Sequence, residues 1–313
     1  MTKEIREVYG EALVKYGKDD PRVVVLDADV SGSTKSAIFK AACPERFFNV
    51  GIAEANMTAM AAGFAASGKI PFVNTFAVFL TSIGLIAARA FGSYSGLPIK
   101  MMGAYGGLSD AFDGPSHHSL EDVAIMRALP NFKVYVAGDA VQTDWLVKHA
   151  IDDPSPMYIR LSRNAFTDVY APSETFEDGK AKVVREGWDA AVIACGAMVG
   201  NALEAAEILA KEGIELRVVD MFCIKPIDAE TILDCAQHCG AIVTAEEHNI
   251  IGGLGSAVSE VLCKADAVVP TDFVGLGDLH AECGPYNRLI HKYAVDADAI
   301  AEKVRAIISK KKV

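Results

Sequence analysis

The chain has 313 residues, of which 51% are hydrophobic and 23% charged, and its formal net charge at pH 7 is −11. The composition is that of a globular protein with a substantial core, and the length suggests about two domains. The negative charge disfavours nucleic acid or an anionic membrane as the main partner. The longest apolar run, 76–88, is interrupted by Thr81, Ser82 and Gly84, so no membrane-spanning segment is predicted.

Neither a signal peptide nor a metal site is indicated. Acidic residues fall within the periodic apolar pattern of residues 1–16, so we expect a cytoplasmic protein. The seven cysteines are scattered and contain no CxxC pair, which argues against disulfides or zinc. Cys235 and Cys239 flank His238 at one-turn spacing, but ordinary helix packing explains this arrangement better than metal binding.

The chain opens with a predicted helix, strand and loop. Apolar residues recur at helical spacing over 2–16 and leave Arg6 on a different face. The apolar run 22–26 predicts a buried strand. It ends in a polar, glycine-containing loop that carries Asp29 and Ser33, and function often lies in such loops.

The next segment, 47–79, places a single acid among small apolar residues and aromatics. Glu54 opens an Ala- and Met-rich stretch that should be helical, where a lone glutamate ordinarily complements the helix dipole. A short buried strand over 70–73 follows, and Phe76 and Phe79 come after it. Open α/β sheets bind ligands at the carboxyl ends of their strands, so these aromatics fall where a ligand site is expected.

A third cluster, 110–122, reads DAFDGPSHHSLED. Its Gly-Pro turn presents Asp113 and His117 near the start of a helix predicted over 123–129. Two adjacent histidines cannot both face one ligand on a regular element, so His118 is assigned a packing or surface role. A predicted strand over 156–161 then leads to the basic residue Arg163.

The second half of the chain begins after a polar, loop-rich segment. We predict a first domain over 1–165, a linker over 166–188 and a second domain over 189–313. Strands and helices alternate in the second domain, which favours a parallel sheet with covering helices. The glycines near Gly253 lack the spacing of a dinucleotide fingerprint. The predicted elements of this domain are the strands 190–194, 216–220 and 241–245 and the helices 198–212 and 228–238.

Several of these motifs resemble the transketolase family. GIAEANM and TFAVF resemble its segments for the catalytic glutamate and the ring-stacking aromatics, and DGPSHH and LSRN resemble its DGP[ST]HQ and LSRQ motifs. EEHNIIGGLGSAVSEVL and ECGPY are similar to its carboxyl-terminal domain, so the resemblance covers essentially the whole chain. It implies an α/β protein with a pyrimidine-binding domain and a transketolase carboxyl-terminal domain. Both sheets should be parallel or mostly parallel, with helices on both faces.

The resemblance implies a binding site for thiamine diphosphate. The cofactor's own amino group removes the reactive proton, and it becomes basic only as an imino tautomer. A carboxyl group hydrogen-bonded to the far ring nitrogen drives that tautomer change, and dry surroundings help. Glu54 is the implied proton donor, Phe79 stacks on the ring, and Phe76 and Asp29 lie near the cofactor.

The resemblance also implies contacts with a sugar substrate. Arg6, Ser33 and Arg163 correspond to phosphate ligands, while Asp113 and the catalytic His117 would contact the sugar hydroxyls and carbonyl oxygen. Tyr105 stands where the family has a phosphate-binding histidine. Because a phenol carries no positive charge, phosphate binding should be weaker or the ligand different. The remaining set should still favour a terminal anion, on a sugar other than xylulose 5-phosphate.

The family's GDG motif for metal and diphosphate is absent from the sequence, and Asp278 lacks the flanking residues of that motif. The chain therefore resembles the carboxyl-terminal subunit of a split transketolase, without metal ligands of its own. It should be active only with an amino-terminal subunit, as a two-plus-two heterotetramer. That partner would mainly hold Mg²⁺, Ca²⁺ or Mn²⁺.

The expected reaction transfers a two-carbon ketol unit from a ketose or ketose phosphate to an aldose or aldose phosphate, in pentose phosphate metabolism. A beta subunit of a 2-oxo acid decarboxylating dehydrogenase component is an alternative with the same two-domain layout. Arg6, Ser33 and Arg163 fit sugars better. A noncatalytic assembly subunit is the third interpretation, and the presence of Glu54 and Phe79 counts against it.

Overall fold

The computed structural model describes residues 3–311. The predicted helix start at residue 2 and the outer ends of the two predicted domains, 1–2 and 312–313, lie outside the described residues. Within the described chain, two β-sheets are each covered by helices, as the sequence predicts. No helix of this described part is both long and apolar enough to cross a membrane.

The first half of the chain forms six strands, and the apolar runs predicted to be strands lie among them. In order its elements are α1 (Ile5–Gly17), β1 (Val23–Asp27), α2 (Ser31–Thr34), α3 (Ala37–Ala42), a 3-10 turn (Pro44–Arg46), β2 (Phe47–Asn49), α4 (Glu54–Ala66), β3 (Ile70–Phe76), α5 (Ala77–Ser82), α6 (Leu85–Ala87), a π-helix (Ala88–Tyr94), β4 (Lys100–Ala104), α7 (Asp122–Ala128), β5 (Lys133–Val136), α8 (Ala140–Asp152) and β6 (Met157–Arg160).

The second half alternates strands and helices as predicted. Its elements are β7 (Lys182–Arg185), β8 (Ala190–Ala194), α9 (Ala197–Ala210), β9 (Leu216–Asp220), β10 (Cys223–Lys225), α10 (Ala229–Cys239), β11 (Ile242–Asn249), α11 (Leu254–Lys264), β12 (Thr271–Leu276), α12 (Tyr286–Lys292) and α13 (Ala297–Ile308). The strand β7 falls within 166–188, the segment predicted to link the domains.

The first sheet has the strand order β10-β5-β6-β4-β3-β1-β2. Its strands are parallel except β10, which pairs antiparallel with β5 although it comes from the second half of the chain. The second sheet has the order β12-β11-β8-β9-β7, with β7 antiparallel to β9. The predicted fold class, α/β with two mostly parallel sheets, is confirmed.

One apolar core spans the boundary between the two sheets. Val134 and Val136 of the first sheet belong to the same buried cluster as Ile193 and Met221 of the second, and Leu254 of α11 joins them. Continuous apolar packing of this kind is typical of a large permanent interface rather than of two loosely tethered domains. The two halves should therefore unfold together.

A buried acid, Asp220, ties the halves together through hydrogen bonds. Its Oδ2 accepts a 2.8 Å bond from Gln142 Nε2 of α8 and a 2.6 Å bond from the Tyr170 hydroxyl. Burial raises the pKa of Asp220 to about 7, although both hydrogen bonds act in the opposite direction. The native state therefore holds this proton at pH values where an unfolded aspartate has lost it.

This buried acid predicts a pH-dependent stability. Its contribution is fully present below the ordinary aspartate pKa and is lost as pH rises through about 7. Asp220→Asn should remove this dependence, so the stability lost between pH 5 and pH 8 should shrink by on the order of 2 kcal/mol. Denaturant midpoints of both proteins at the two pH values measure the effect. Identical pH dependence would contradict it.

Candidate active site

The site lies at one edge of the first sheet because four adjacent strands are parallel. The strands β4, β3, β1 and β2 are neighbours in the sheet, so their carboxyl ends meet at the same edge. The predicted site residues follow those ends. Asp29 comes after β1, Glu54 after β2, Phe79 after β3 and Tyr105 after β4.

Glu54 is a buried acid at the first position of α4. It is 5% exposed, and no described residue donates a hydrogen bond to its carboxyl group; Thr58 Oγ1 bonds only to its backbone carbonyl, at 2.9 Å. Neither carboxyl oxygen is among the fully buried side-chain atoms without a partner, so both keep some contact with solvent. The group is therefore free to bond to a ligand. The start of the helix favours negative charge at this position.

Aromatic rings line the neighbouring part of the edge. The centroids of Phe76 and Phe79 are 6.0 Å apart, and Tyr105 stacks on Phe76 at 4.7 Å with an interplanar angle of 15°. His117 packs edge-on against both phenylalanines, with centroid distances of 5.8 and 5.2 Å. Its Nδ1 lies 2.9 Å from Ser116 Oγ, which leaves Nε2 available. A planar ligand ring can stack among these groups.

The loop after β1 owes its shape to Asp27, which the sequence analysis did not single out. The buried carboxylate of Asp27 accepts hydrogen bonds from the Val30 amide, Thr34 and Ser36 at 2.7–2.9 Å. Asp29 is exposed, has a φ of +65°, and accepts a 2.8 Å bond from Asn49 Nδ2. Asp27 thus fixes the loop that presents Asp29 toward the site.

The four residues predicted to bind the substrate's terminal group come together. The guanidinium carbons of Arg6 and Arg163 each lie 5.3 Å from the centroid of the Tyr105 ring. Arg6 also donates to the Tyr105 hydroxyl, and at 3.1 Å to the carbonyl oxygen of Ser33. Ser33 therefore meets Arg6 through its backbone rather than through its hydroxyl. Tyr105 has a φ of +61°, which the surrounding contacts must hold.

The loop after Tyr105 carries the remaining predicted residues. Asp113 is exposed and His117 is half-buried, whereas His118 is buried, and burial lowers its pKa. Asp110, which was not predicted as a site residue, is fully buried, and its Oδ1 lies 3.3 Å from Arg163 Nη1. The sequence motif gives no indication that Asp110 lies so close to Arg163, a residue predicted to bind an anion.

A carboxylate of the second domain holds this loop. Glu247, at the end of β11, is buried; it accepts hydrogen bonds from the Leu108 amide and, at 2.7 Å, from the Tyr286 hydroxyl. A side chain on Gly107, whose φ is +67°, would meet Glu247 Oε1 at 2.3 Å, so only glycine fits. In the sequence, Glu247 belongs to the acidic pair of the EEHN segment. The sequence analysis interpreted this segment only through its family resemblance and did not predict a role for Glu247.

Comparison with known families assigns this fold and sheet edge to the thiamine-diphosphate-dependent class. The family model described as the transketolase pyrimidine-binding domain matches residues 2–168, and the transketolase C-terminal domain matches residues 179–300. The chain belongs to the transketolase family.

Similar proteins match over nearly their whole length. The putative transketolase C-terminal section of Methanocaldococcus jannaschii is 40% identical over 304 residues, covering 96% of this chain and 95% of the relative. The 6-deoxy-6-sulfo-D-fructose transketolase subunit SqwH of Clostridium sp. is 38% identical over 307 residues, covering 98% and 95%. A solved split-gene transketolase, described as an inactive beta4 tetramer, is 45% identical with a TM-score of 0.92, covering 98% and 99%. The predicted kinship with carboxyl-terminal subunits of split transketolases is confirmed.

Transketolases depend on thiamine diphosphate, and the residues present fit the aminopyrimidine half of that cofactor. The free carboxyl group of Glu54 can bond to a ring nitrogen, and Phe76 and Phe79 offer faces for stacking. Their place at the carboxyl edge of the parallel strands is where α/β proteins bind ligands. The roles of the individual residues remain predictions.

The loop contact of Glu247 predicts a separable effect on sugar binding. Glu247→Ala would leave the Leu108 amide and the Tyr286 hydroxyl without a partner, at a cost of roughly 1–3 kcal/mol in the free energy of unfolding. It should also raise the KM for the sugar acceptor, because the loop after Tyr105 loses its support. Chemical denaturation and steady-state kinetics of the assembled enzyme measure the two effects.

The neighbouring Glu246 provides the control. It is equally buried, but its carboxylate accepts from the amides of Leu254 and Gly255 at the start of α11, at 2.7 and 2.8 Å. Glu246→Ala should destabilise the protein by a similar amount while leaving the acceptor KM unchanged. If both variants raised that KM equally, the loop would not depend on Glu247 in particular.

Proposed function

We propose that this chain is the carboxyl-terminal subunit of a two-chain transketolase that transfers a two-carbon ketol unit from a ketose or its phosphate to an aldose or its phosphate. The observation that carries this proposal is the buried, unpaired carboxyl group of Glu54 at the same sheet edge as Phe76 and Phe79. The sugar-binding set around Tyr105 lies at that edge as well.

When bound, thiamine diphosphate supplies the carbon nucleophile and the electron sink for making and breaking carbon–carbon bonds. This chain's residues orient and tune it. Glu54 holds a proton at the pyrimidine nitrogen, and Phe79 stacks on the ring. His117 directs Nε2 toward the sugar oxygens while Ser116 holds Nδ1. Asp113 bonds to a sugar hydroxyl beside it.

The partner would hold the diphosphate and its metal ion, Mg²⁺ in the first instance. The sequence has no GDG motif. One described cluster of possible ligands, His149, Asp153 and Asp178, lies away from the site, and Lys133 already bridges its two acids. An ammonium group in that position opposes a second cation, so the cluster does not replace the missing motif.

An exposed apolar surface offers a place for the partner. Ile52, two residues before Glu54, is 82% exposed, and on the helices after β3 Ile86 and Tyr94 are 82% and 89% exposed. Apolar surface of this kind beside a half-built site supports a subunit interface. The similar beta4 tetramer is described as inactive, which supports the proposal that such a chain self-associates and lacks turnover without its partner.

The sugar itself is open within this proposal. The Clostridium relative is named for a 6-deoxy-6-sulfo sugar, so the terminal group differs among similar subunits. We propose a substrate within pentose and related sugar metabolism that is a sugar other than xylulose 5-phosphate. Tyr105 in place of a histidine supports this choice, since a phenol adds no positive charge.

The proposal predicts that cofactor binding requires both chains. This chain alone should bind thiamine diphosphate weakly and show no ketol transfer, and mixing with the amino-terminal subunit should restore both, because cofactor at the interface stabilises assembly. Titration calorimetry with and without magnesium measures the binding. Tight, magnesium-dependent binding to this chain alone would refute the division of the site. Pyruvate as the preferred substrate would instead favour a 2-oxo acid dehydrogenase component.

A charge placed on the apolar surface tests the interface. Ile86→Asp should weaken assembly with the partner by roughly tenfold or more, because a buried unpaired carboxylate is costly. Val268→Asp is the control, since Val268 is 70% exposed on the second domain. Sedimentation velocity of the mixtures gives the affinities. If both variants assembled equally well with the partner, the interface would not include Ile86.

Substitution of Glu54 tests the chemistry. Glu54→Gln should leave the fold and assembly intact and lower turnover roughly a hundredfold or more, because an amide cannot cycle a proton. Circular dichroism and a ketol-transfer assay of the assembled enzyme provide the two readouts. Near-normal turnover would remove Glu54 from the mechanism.

A further inference from the structure

The pocket for the far end of the sugar is already neutralised by this chain's own acids. Most hydrogen-bond donors of Arg6 already have partners within the protein. Its Nε and Nη2 each lie 2.9 Å from Glu4 Oε2, and its Nη1 donates to the Ser33 carbonyl and the Tyr105 hydroxyl. The Arg6 side chain is only 13% exposed. A bidentate contact with an incoming anion would have to displace Glu4.

The positive charge of the second arginine, Arg163, is compensated by a buried acid. Asp110 is fully buried, and its Oδ1 lies 3.3 Å from Arg163 Nη1. Its other oxygen, Oδ2, is buried without a hydrogen-bond partner among the described residues. A buried carboxyl oxygen without a partner can accept a hydrogen bond from a ligand hydroxyl group, whereas the ionised oxygens of a phosphate dianion or a sulfonate have no proton to donate.

The charges of both arginines are therefore compensated. Arg6 pairs with Glu4 and Arg163 with Asp110, Asp113 is a third acid beside Asp110, and Tyr105 adds a neutral hydroxyl. Burial, aided by the neighbouring Asp113, raises the pKa of Asp110 to about 6, against the effects of Arg163 and His117. Asp110 is consequently ionised at neutral pH. A phosphate dianion gains most where guanidinium charges are free, and here both are paired.

We infer that the pocket formed by Arg6, Tyr105, Asp110 and Arg163 takes an uncharged sugar end that bears a hydroxyl group, rather than a phosphate dianion. The inference rests on the proposed ketol transfer and narrows its substrate class. The Tyr105 hydroxyl and Asp110 Oδ2 would contact that end directly. Arg163, with a side chain 38% exposed, would supply the remaining polar contact.

The test uses the assembled two-chain enzyme at about pH 7.5, where Asp110 is ionised. β-Hydroxypyruvate serves as the donor, because it loses carbon dioxide to leave a two-carbon ketol unit and has no sugar end. Ribose and ribose 5-phosphate are compared as acceptors, and each is also measured as an inhibitor. The two acceptors differ in the group that would enter this pocket, and their inhibition constants do not depend on turnover of the aldehyde.

The wild-type enzyme should prefer ribose 5-phosphate by less than roughly tenfold in kcat/KM or in inhibition constant. Asp110→Asn combined with Tyr105→His should raise that preference roughly ten- to a hundredfold, because one arginine is freed and a cationic donor is added. The double variant should also lose activity with its uncharged acceptor. If loss of the buried Asp110 impairs folding, Glu4→Gln combined with Tyr105→His tests the same effect by freeing Arg6 instead of Arg163.

Asp144→Asn is the matched control. Asp144 also pairs with a cation, Lys15 at 2.9 Å, but between α8 and the end of α1 opposite to Arg6, so its loss should leave the acceptor ratio unchanged. A wild-type preference for the phosphate of tenfold or more, or a ratio unmoved by both double variants, would overturn the inference. Failure of the proposed function looks different: no ketol transfer from hydroxypyruvate to either acceptor.

Discussion

The structure depends on a buried group of charges at the boundary between the two sheets. Arg160, at the end of β6, has its Nε 3.0 Å from Asp122 Oδ2, and its Nη2 donates 2.8 Å bonds to the carbonyls of Ser119 and Glu247. These groups are almost completely excluded from solvent, and a buried pair with one partner removed leaves an uncompensated charge. The ion pair itself lies within the first domain, and the bond from Arg160 to the Glu247 carbonyl connects it to the second domain. Because Glu247 also holds the loop after β4, the geometry of the candidate site depends on this docking.

Much of the fold could be predicted because its signals are local. Apolar runs of four to seven residues became buried parallel strands, and the Ala- and Met-rich segment after Gly51 became α4. Six strands were not predicted: β2, β4, β5, β7, β10 and β12. Two of these, β7 and β10, are explained by pairing alone. The short strand β10 joins the first sheet from the second half of the chain, and β7 lies in a polar segment, half-exposed at a sheet edge. Both depend on pairing between residues far apart in sequence, which periodicity cannot report.

The candidate site likewise contains residues that could be predicted from the sequence and residues that could not. Glu54, Phe76, Phe79 and Tyr105 could be placed together, because residues that follow neighbouring parallel strands share an edge. The acids that alter the pocket could not. Glu4 and Asp110 look like ordinary surface or turn residues in the sequence, and only their 2.9 and 3.3 Å approaches to arginines give them meaning. Ser33 stays a predicted ligand through its hydroxyl, and its carbonyl makes a contact with Arg6 that the sequence did not indicate.

The proposed division of the site between chains has a consequence for specificity. Both arginines of the proposed sugar pocket and their compensating acids belong to this chain, whereas the GDG motif for metal and diphosphate is absent from its sequence. The proposed catalytic Glu54 is also on this chain, but it follows β2, whereas Tyr105 follows β4. A change such as histidine to tyrosine at position 105 alters the charge of the substrate pocket without touching Glu54 or the cofactor's anchoring. Substrate choice can then shift while the chemistry is retained, because the two depend on different contacts.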